Sequence, residues 1–442
     1  MCETRIWGVG LIDGELTLRA RWVVPIDQPP FENGRVVVSQ GRIVRVDRTP
    51  STESRPATSL QFASDDRRDI SGHSAVGDCV RDLGDVAILP GLVNAHTHLE
   101  FSDLDSPVGQ PGMELAEWIV HVVRARQAAA EAAGMADATP QSIVTGGASE
   151  AIQGGTALIG EIASTPWPGI DREHARGGEV VAFAEVLGLT KERGEAKFGL
   201  AGEHLDSLGE LAGVSPHAPY STPLELIERC VRLSRDRACP LAMHVAESPA
   251  ERELLQNGTG PFADSLARLG IDLSGLFPWP HAEPVKALIE RLAKASSSLL
   301  VHGNDLQPSE IAVLSRSPAV SVVYCPRTHA FFQHRRHPVA DLIVAGVNVA
   351  LGTDSRASNP DLQLWREVRF LLEHRQDLDP ANVLQMATLN GARAMRLNHR
   401  FGTISAGRDA VFACVPSTAQ TVDQLYADFA CFDASSADAL HN

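Results

Sequence analysis

Lysine is the scarcest charged residue in this chain: Lys191, Lys197, Lys286 and Lys294 are the whole complement among 39 basic residues in 442. A metal pair bridged by a carboxylated lysine would have only those four positions to draw on. Long hydrophobic runs are missing too. None approaches the roughly 20 residues of a membrane-spanning helix, so no membrane partner is expected. Cysteine is limited to seven scattered residues, an odd number with no CxxC pair. That pattern excludes a zinc ribbon, argues against a disulfide framework and fits reduced cytoplasmic thiols. The opening MCETRIWGVGLIDGEL has acidic residues at 3 and 13 and lacks the basic-then-apolar order of a secretion signal, which again points to the cytoplasm. Positive charge is in deficit. A formal charge of −16 gives a field that repels nucleic acid and anionic membranes, so no nucleic-acid partner is expected. Repeats, heptads and low-complexity tracts are absent as well.

What remains is an ordinary globular composition, 44% hydrophobic and 21% charged, in a chain long enough for a large core. ELTLRARWVVPI and GRVVVSQGRIVRVD alternate apolar and polar residues as strands do, the second bending at Ser39-Gln40-Gly41 like a hairpin. Residues 48–80 are polar and aperiodic, which predicts a long loop. GTISAGRDAVFACV (402–415) returns to strand character. Between these ends come eight apolar runs: VAILPGLVNA, GTALIGEIA, EVVAFAEVLG, LAGVSP, PLAMHVAE, SLLVHGN, AVSVVYCP and GVNVALGTD. Amphipathic helical patterns such as MELAEWIVHVVRARQAAAEAA and TPLELIERCVRLSRD separate them. Eight near-continuous apolar strands, each followed by a helix, predict an α/β fold, a (β/α)8 TIM-like barrel over 87–398. The flanks, 1–86 and 399–442, predict a small β-sandwich domain formed from both termini.

Chemistry in such a barrel collects where strands end and the loops begin. Strand one ends His96-Thr97-His98, strand four at His217, strand five at His244 and Glu247, and strand six at His302. Strand seven ends at Arg327 and His329, and strand eight at Asp354. Six of the sixteen histidines therefore fall at strand ends, a small part of the chain. Alone, His-Thr-His could be a polar edge, two satisfied core histidines or half of a metal site. The spacing suits the last, because residues i and i+2 of a strand point to one side. Two imidazoles so placed can share one cation, and His244 and Asp354 could complete the shell while leaving a position for water, as a catalytic zinc or iron requires. No lysine lies at a strand terminus (Lys191 comes nearest), so one metal per chain is expected rather than two.

PGLVNAHTHLE, SPHAPYS, HVAES, VHGN, CPRT and LGTDS, in this order, resemble the amidohydrolase superfamily. Within it they are similar to the mononuclear deaminase and chlorohydrolase branch, which holds guanine, adenosine-homocysteine, aminofutalosine and triazine enzymes. The resemblance runs from about residue 20 to 412; the ordered set is specific where any one motif alone would be weak. It implies one divalent cation, Zn2+ first and Fe2+ as the alternative, on His96, His98, His244 and Asp354. Water on such a cation has its pKa lowered from ~15.7 to roughly 7, giving a metal-bound hydroxide. By the same resemblance His302 and Asp354 orient that water and accept its proton, and Glu247 protonates a ring nitrogen before serving the leaving group. His217 matches the substrate-contacting histidine of this branch. Thr328-His329 departs from it, since relatives often carry Ser-Asn there, and the departure leaves the substrate open.

Other positions are less defined. Arg327 and His329 are either substrate contacts or loop braces, and Glu100 and Trp118, in or after the first loop, are candidates to line the pocket. The leading functional expectation is hydrolytic deamination of an aminated purine-like heterocycle or nucleoside, because NAHTHLEFSDL followed by EWIVHVVRARQ looks like the aminofutalosine deaminase group. A chlorohydrolase or other C–N hydrolase on a triazine or cyclic amide is the enzymatic alternative. A non-catalytic barrel would be expected to have eroded ligands, and here the set is complete. The expected partner is a small-molecule substrate, with a homodimer the one further association in view.

Overall fold

The computed structural model describes residues 7–8, 15–48, 79–133, 139–175 and 177–433. The loop expected over 48–80 falls, from 49 to 78, outside the described residues. Eight parallel strands form one sheet in sequence order: Leu92–Thr97, Thr156–Ala163, Glu179–Val186, Ala212–Pro216, Pro240–Val245, Ser297–His302, Val320–Tyr324 and Val349–Leu351. We number them barrel strands one to eight. Strands two, five and six are buried along their whole length, the pattern of parallel strands covered on both faces. Val93, Val181, Phe183, Ala242, Leu299, Val323 and Ala350 fill the interior, while a larger apolar layer lies between the sheet and its surrounding helices. Helix Leu224–Arg237 shows how the outer layer forms: Leu226, Ile227, Cys230 and Val231 recur at helical spacing and are its buried apolar face.

The first and last strands meet through polar backbone groups. The N–H groups of Thr353 and Asp354 both donate to the carbonyl of His96 at 3.1 Å. The Asn94 amide spans the same seam, donating to Thr353 Oγ1 at 2.8 Å and accepting from Thr353 N at 3.1 Å. Gly352 makes the approach feasible, since a Cβ there would stand 2.9 Å from both Cβ and O of His96.

Two local expectations are corrected. VAILPGLVNA is two strands, not one: Val86–Pro90 pairs antiparallel with Val411–Pro416 in the small sheet, and only Leu92–Thr97 enters the barrel. Gly91 is the break, packed so closely that a Cβ would lie 2.4 Å from Cβ of Ala157. Nor is every strand followed by a helix. Among the described residues none lies between Ala163 and Glu179, where Pro166, Pro168 and Gly169 disfavour one.

The small domain is a seven-stranded mixed sheet drawn from both ends of the chain, with Val411–Pro416 between Trp7–Gly8 and Val86–Pro90. Its hairpin Phe31–Ser39/Arg42–Arg48 turns at Gln40 and Gly41, with φ of 49° and 73°, the double positive φ of a two-residue hairpin turn. Leu18, Val23, Val36, Ile88 and Phe412 form its core. Trp22 joins it to the barrel side, its indole N–H donating to the Ala419 carbonyl at 3.1 Å. No helix is long and apolar enough to cross a membrane, among the described residues.

Candidate active site

At the C-terminal ends of the barrel strands, ring nitrogens of His96, His98 and His244 lie within 4.8 Å of one another, and so do ligand atoms of His96, His302 and Asp354. His96 Nε2 is 3.5 Å from Asp354 Oδ1, His98 Nε2 is 3.8 Å from the same oxygen, and His98 Nε2 is 3.3 Å from His244 Nε2. The structure thus brings the four expected ligands together with His302. Two non-glycine residues here hold left-handed backbone, His302 at φ 71° and Asp354 at φ 59°, the kind of local strain that concentrates at functional sites.

The donor chemistry fits a cation. His244 Nδ1 donates to the carbonyl of His217 at 2.8 Å, so in the neutral ring the Nε2 lone pair faces His98. Both ring nitrogens of His96 are buried without any hydrogen-bond partner, a costly state unless a ligand takes a lone pair. Burial holds the imidazoles of His96, His98 and His302 well below their ordinary range, and that of His244 down at about 4 with help from His217. Neutral nitrogens and a carboxylate are what a divalent metal binds. The Asp354 carboxylate is fixed from behind by the Ser355 N–H at 2.8 Å and the Ser358 hydroxyl at 3.1 Å.

Glu247 ends barrel strand five on the metal side, its Oε1 3.3 Å from Nε2 of His302. Burial, reinforced by the negative charges of Asp354 and Glu251, raises its carboxyl well above the usual carboxylate range, the direction that favours the acid form. Its backbone is held on two sides. Glu251, itself fully buried, accepts the N–H groups of Ala246 at 2.7 Å and Glu247 at 3.2 Å, and the Asn304 amide donates to the Glu247 carbonyl at 3.0 Å. His302 is held likewise: its carbonyl accepts Nε2–H of His337 at 2.9 Å, and His337 stacks on Tyr324 at 3.9 Å between ring centroids. His217 stands beside His244, with Nδ1 2.6 Å from the Ser221 hydroxyl and Nε2 3.9 Å from a carboxylate oxygen of Glu185.

Four candidate pocket residues have partners within the protein. Glu100 is matched by the Arg126 guanidinium at 2.9 and 2.7 Å and by the Ser164 hydroxyl at 2.6 Å, which ties the first loop to the second. Trp118 donates its indole N–H to the Val108 carbonyl at 3.0 Å and packs edge-on against Phe332. Arg327 forms a two-pronged pair with Asp361, both bonds 2.9 Å, and approaches Glu367 at 3.6 Å. His329 donates Nε2–H to the Arg335 carbonyl at 2.8 Å, bracing its own loop. Its neighbour Thr328 lies 3.1 Å from Ser358, the hydroxyl that supports Asp354. The unusual Thr328-His329 pair is therefore part of the wall behind the ligand.

Sequence reasoning missed Glu185, Glu251 and His337. A lone carboxylate inside an apolar strand run, as in EVVAFAEVLG, was the available signal for the first.

The profile of the amidohydrolase family matches residues 87–432. The aminodeoxyfutalosine deaminase of Deinococcus radiodurans is 30% identical over 321 residues, covering 70% of this chain and 73% of its own. The 5-methylthioadenosine/S-adenosylhomocysteine deaminase of Moorella thermoacetica is 29% identical over 416 residues, 90% of this chain and 84% of its own. A solved adenosine deaminase from Xanthomonas campestris with bound zinc superposes with a TM-score of 0.67 at 26% identity, covering 94% of this chain and 88% of its own. The strand-end metal cluster on a (β/α)8 barrel defines a metal-dependent hydrolase scaffold. This chain belongs to the amidohydrolase family.

Proposed function

We propose that the chain hydrolytically deaminates an aminated purine-like heterocycle or its nucleoside, releasing ammonia. One observation carries this reading: the buried Glu247 carboxyl stands 3.3 Å from His302, beside a set of three histidines and Asp354 that could hold a metal. The names borne by the Deinococcus and Moorella relatives support it. His96, His98, His244 and Asp354 would hold one divalent cation, which when bound supplies Lewis-acid activation of a water molecule. Zinc suits the nitrogen-rich donor set best, with iron(II) second.

The remaining work belongs to the protein. Glu247 gives its proton to a ring nitrogen next to the amino-bearing carbon, which makes that carbon electrophilic. His302 and Asp354 orient the attacking water and take its proton. The ionised Glu247 then takes up the proton held by His302 and Asp354 and passes it to the departing amine; as the C–N bond breaks with loss of neutral ammonia, the hydroxyl proton of the adduct restores Glu247 and leaves the oxo product. His217, beside His244, would contact the heterocycle. The decisive experiment is ammonia release by metal-loaded protein from adenine, guanine, adenosine, methylthioadenosine, S-adenosylhomocysteine and aminodeoxyfutalosine. Turnover of at least one is expected, and silence on the whole panel would overturn the reading.

A further inference from the structure

Glu185 is the penultimate residue of barrel strand three, in register with Ser215 of strand four, two positions before His217. Alternation along a strand places it on the same face as Val181 and Phe183, both members of the barrel-interior cluster. Its carboxylate therefore caps the interior at the end where the metal ligands gather. Only 14% of the side chain is exposed. Among the described residues it accepts no hydrogen bond, and the one ion-pairing atom within 4.0 Å is His217 Nε2, at 3.9 Å beyond hydrogen-bond reach. Of the cations that act on it from farther off, Arg126 is held by Glu100 and Lys197 by the Thr165 carbonyl at 3.1 Å, with Arg193 the weakest of the three. His217 Nδ1 is engaged by Ser221, which leaves Nε2 facing Glu185 across the gap.

A largely buried carboxylate with no donor among the described residues is open to a ligand that supplies an N–H or O–H. We propose that Glu185 is a specificity-determining residue that accepts a hydrogen bond from a donor on the part of the substrate lying against His217. This deepens the deaminase reading and rests on it. The amino-bearing edge of a purine must face Glu247 and the metal ligands, so the group reaching Glu185 is a ring N–H of a free base or a hydroxyl of an attached sugar. Both are uncharged donors recognised by the same carboxylate. Discrimination by such a pairing is strong, because an analogue without the donor leaves the buried acceptor unmatched.

The test is a comparison of kcat/KM for zinc-loaded wild type, Glu185→Met and the more conservative Glu185→Gln. The substrates are adenine against 9-methyladenine, and adenosine against its 2′- and 3′-deoxy analogues. In the wild type, removing the recognised donor is expected to lower kcat/KM at least about tenfold, and in Glu185→Met that ratio should shrink to about threefold or less. Glu185→Gln, which keeps one acceptor oxygen, should fall between, and zinc content should be unchanged in both. The adenine pair reports on the ring N–H and the adenosine set on the sugar hydroxyls. The assignment is overturned if no pair differs in the wild type, or if the variants lose the same factor on every substrate. A wild type silent on all of these compounds but active on others of the larger panel also removes it, leaving the deaminase reading intact. Silence throughout removes both.

Discussion

His244 donates its Nδ1 proton to the main-chain carbonyl of His217 across 2.8 Å, and the same carbonyl accepts the amide N–H of His244 at 2.9 Å. The His244 imidazole, a candidate metal ligand on strand five, is thus oriented by the backbone of strand four's end rather than by a side chain. Such outer contacts fix which nitrogen meets the metal.

This separates two roles of His217. Replacing His217 by Ala keeps the carbonyl, so metal content by elemental analysis should remain at the wild-type level while kcat/KM falls by about tenfold or more. Loss of metal in that variant would show that the imidazole, not the carbonyl, supports the site.

Glu247→Gln removes the acid but keeps the shape. Turnover should drop by about 10²–10⁴ with the metal retained, the range of a general acid–base contribution. An unchanged rate would reject the assignment.

Metal should also stabilise the fold, because its ligands come together only in the native barrel. At a free metal concentration about 100 times Kd the gain is about 2.7 kcal/mol. Chelation should lower Tm and abolish activity, and zinc should restore both. His96→Ala, which loses the ligand common to both donor clusters, should show the low Tm with or without zinc.

Arg327 distinguishes a brace from a substrate contact. Its pair with Asp361 is largely buried, at 14% and 7% exposure, and Arg327→Met leaves Asp361 with Arg366 at 2.6 Å and the Gln363 N–H at 3.0 Å. Chemical denaturation should show a loss of about 3 kcal/mol, with KM unchanged in the folded fraction. A raised KM at unchanged stability would return Arg327 to the substrate pocket.

Burial raises the Glu367 carboxyl to about 7, despite the opposing guanidinium of Arg327. Between its unfolded pKa, about 4.3, and this value the folded chain holds a proton that the unfolded chain releases. This group's contribution to stability is therefore undiminished below the unfolded value and declines as pH rises toward 7, by at most about 1.4 kcal/mol per pH unit. Glu367→Gln should flatten the pH dependence of the unfolding free energy over that window. Parallel curves for the two proteins would refute it.

The histidine cluster was legible because strand parity fixes which side a residue faces, and two histidines at i and i+2 leave little choice. Asp354, His302 and Glu247 were legible from their positions at strand ends. Position alone says nothing of where a long side chain turns, which is why Arg327 was left between substrate contact and brace and Glu100 read as a pocket candidate, while the structure shows their pairings to Asp361 and Arg126. Glu185 was hidden for the opposite reason: one carboxylate in an apolar run reads as a strand edge until the neighbouring strand end is set beside it. Gly91 likewise interrupts two apolar runs that read as one, and only sheet pairing shows that they belong to different domains.

The seam joining His96 to Thr353 and Asp354 also bears on the order of events during synthesis. Thr97 and the Asp354 carbonyl it binds are 257 positions apart in the chain. A ribosome-bound chain that has released strands one to five already carries His96, His98 and His244, yet it lacks the carboxylate and the edge strand that seal them. Tight capture of a cation by this set would therefore await the eighth strand, and the ion would act as a late latch on the finished barrel rather than a nucleus around which it is built.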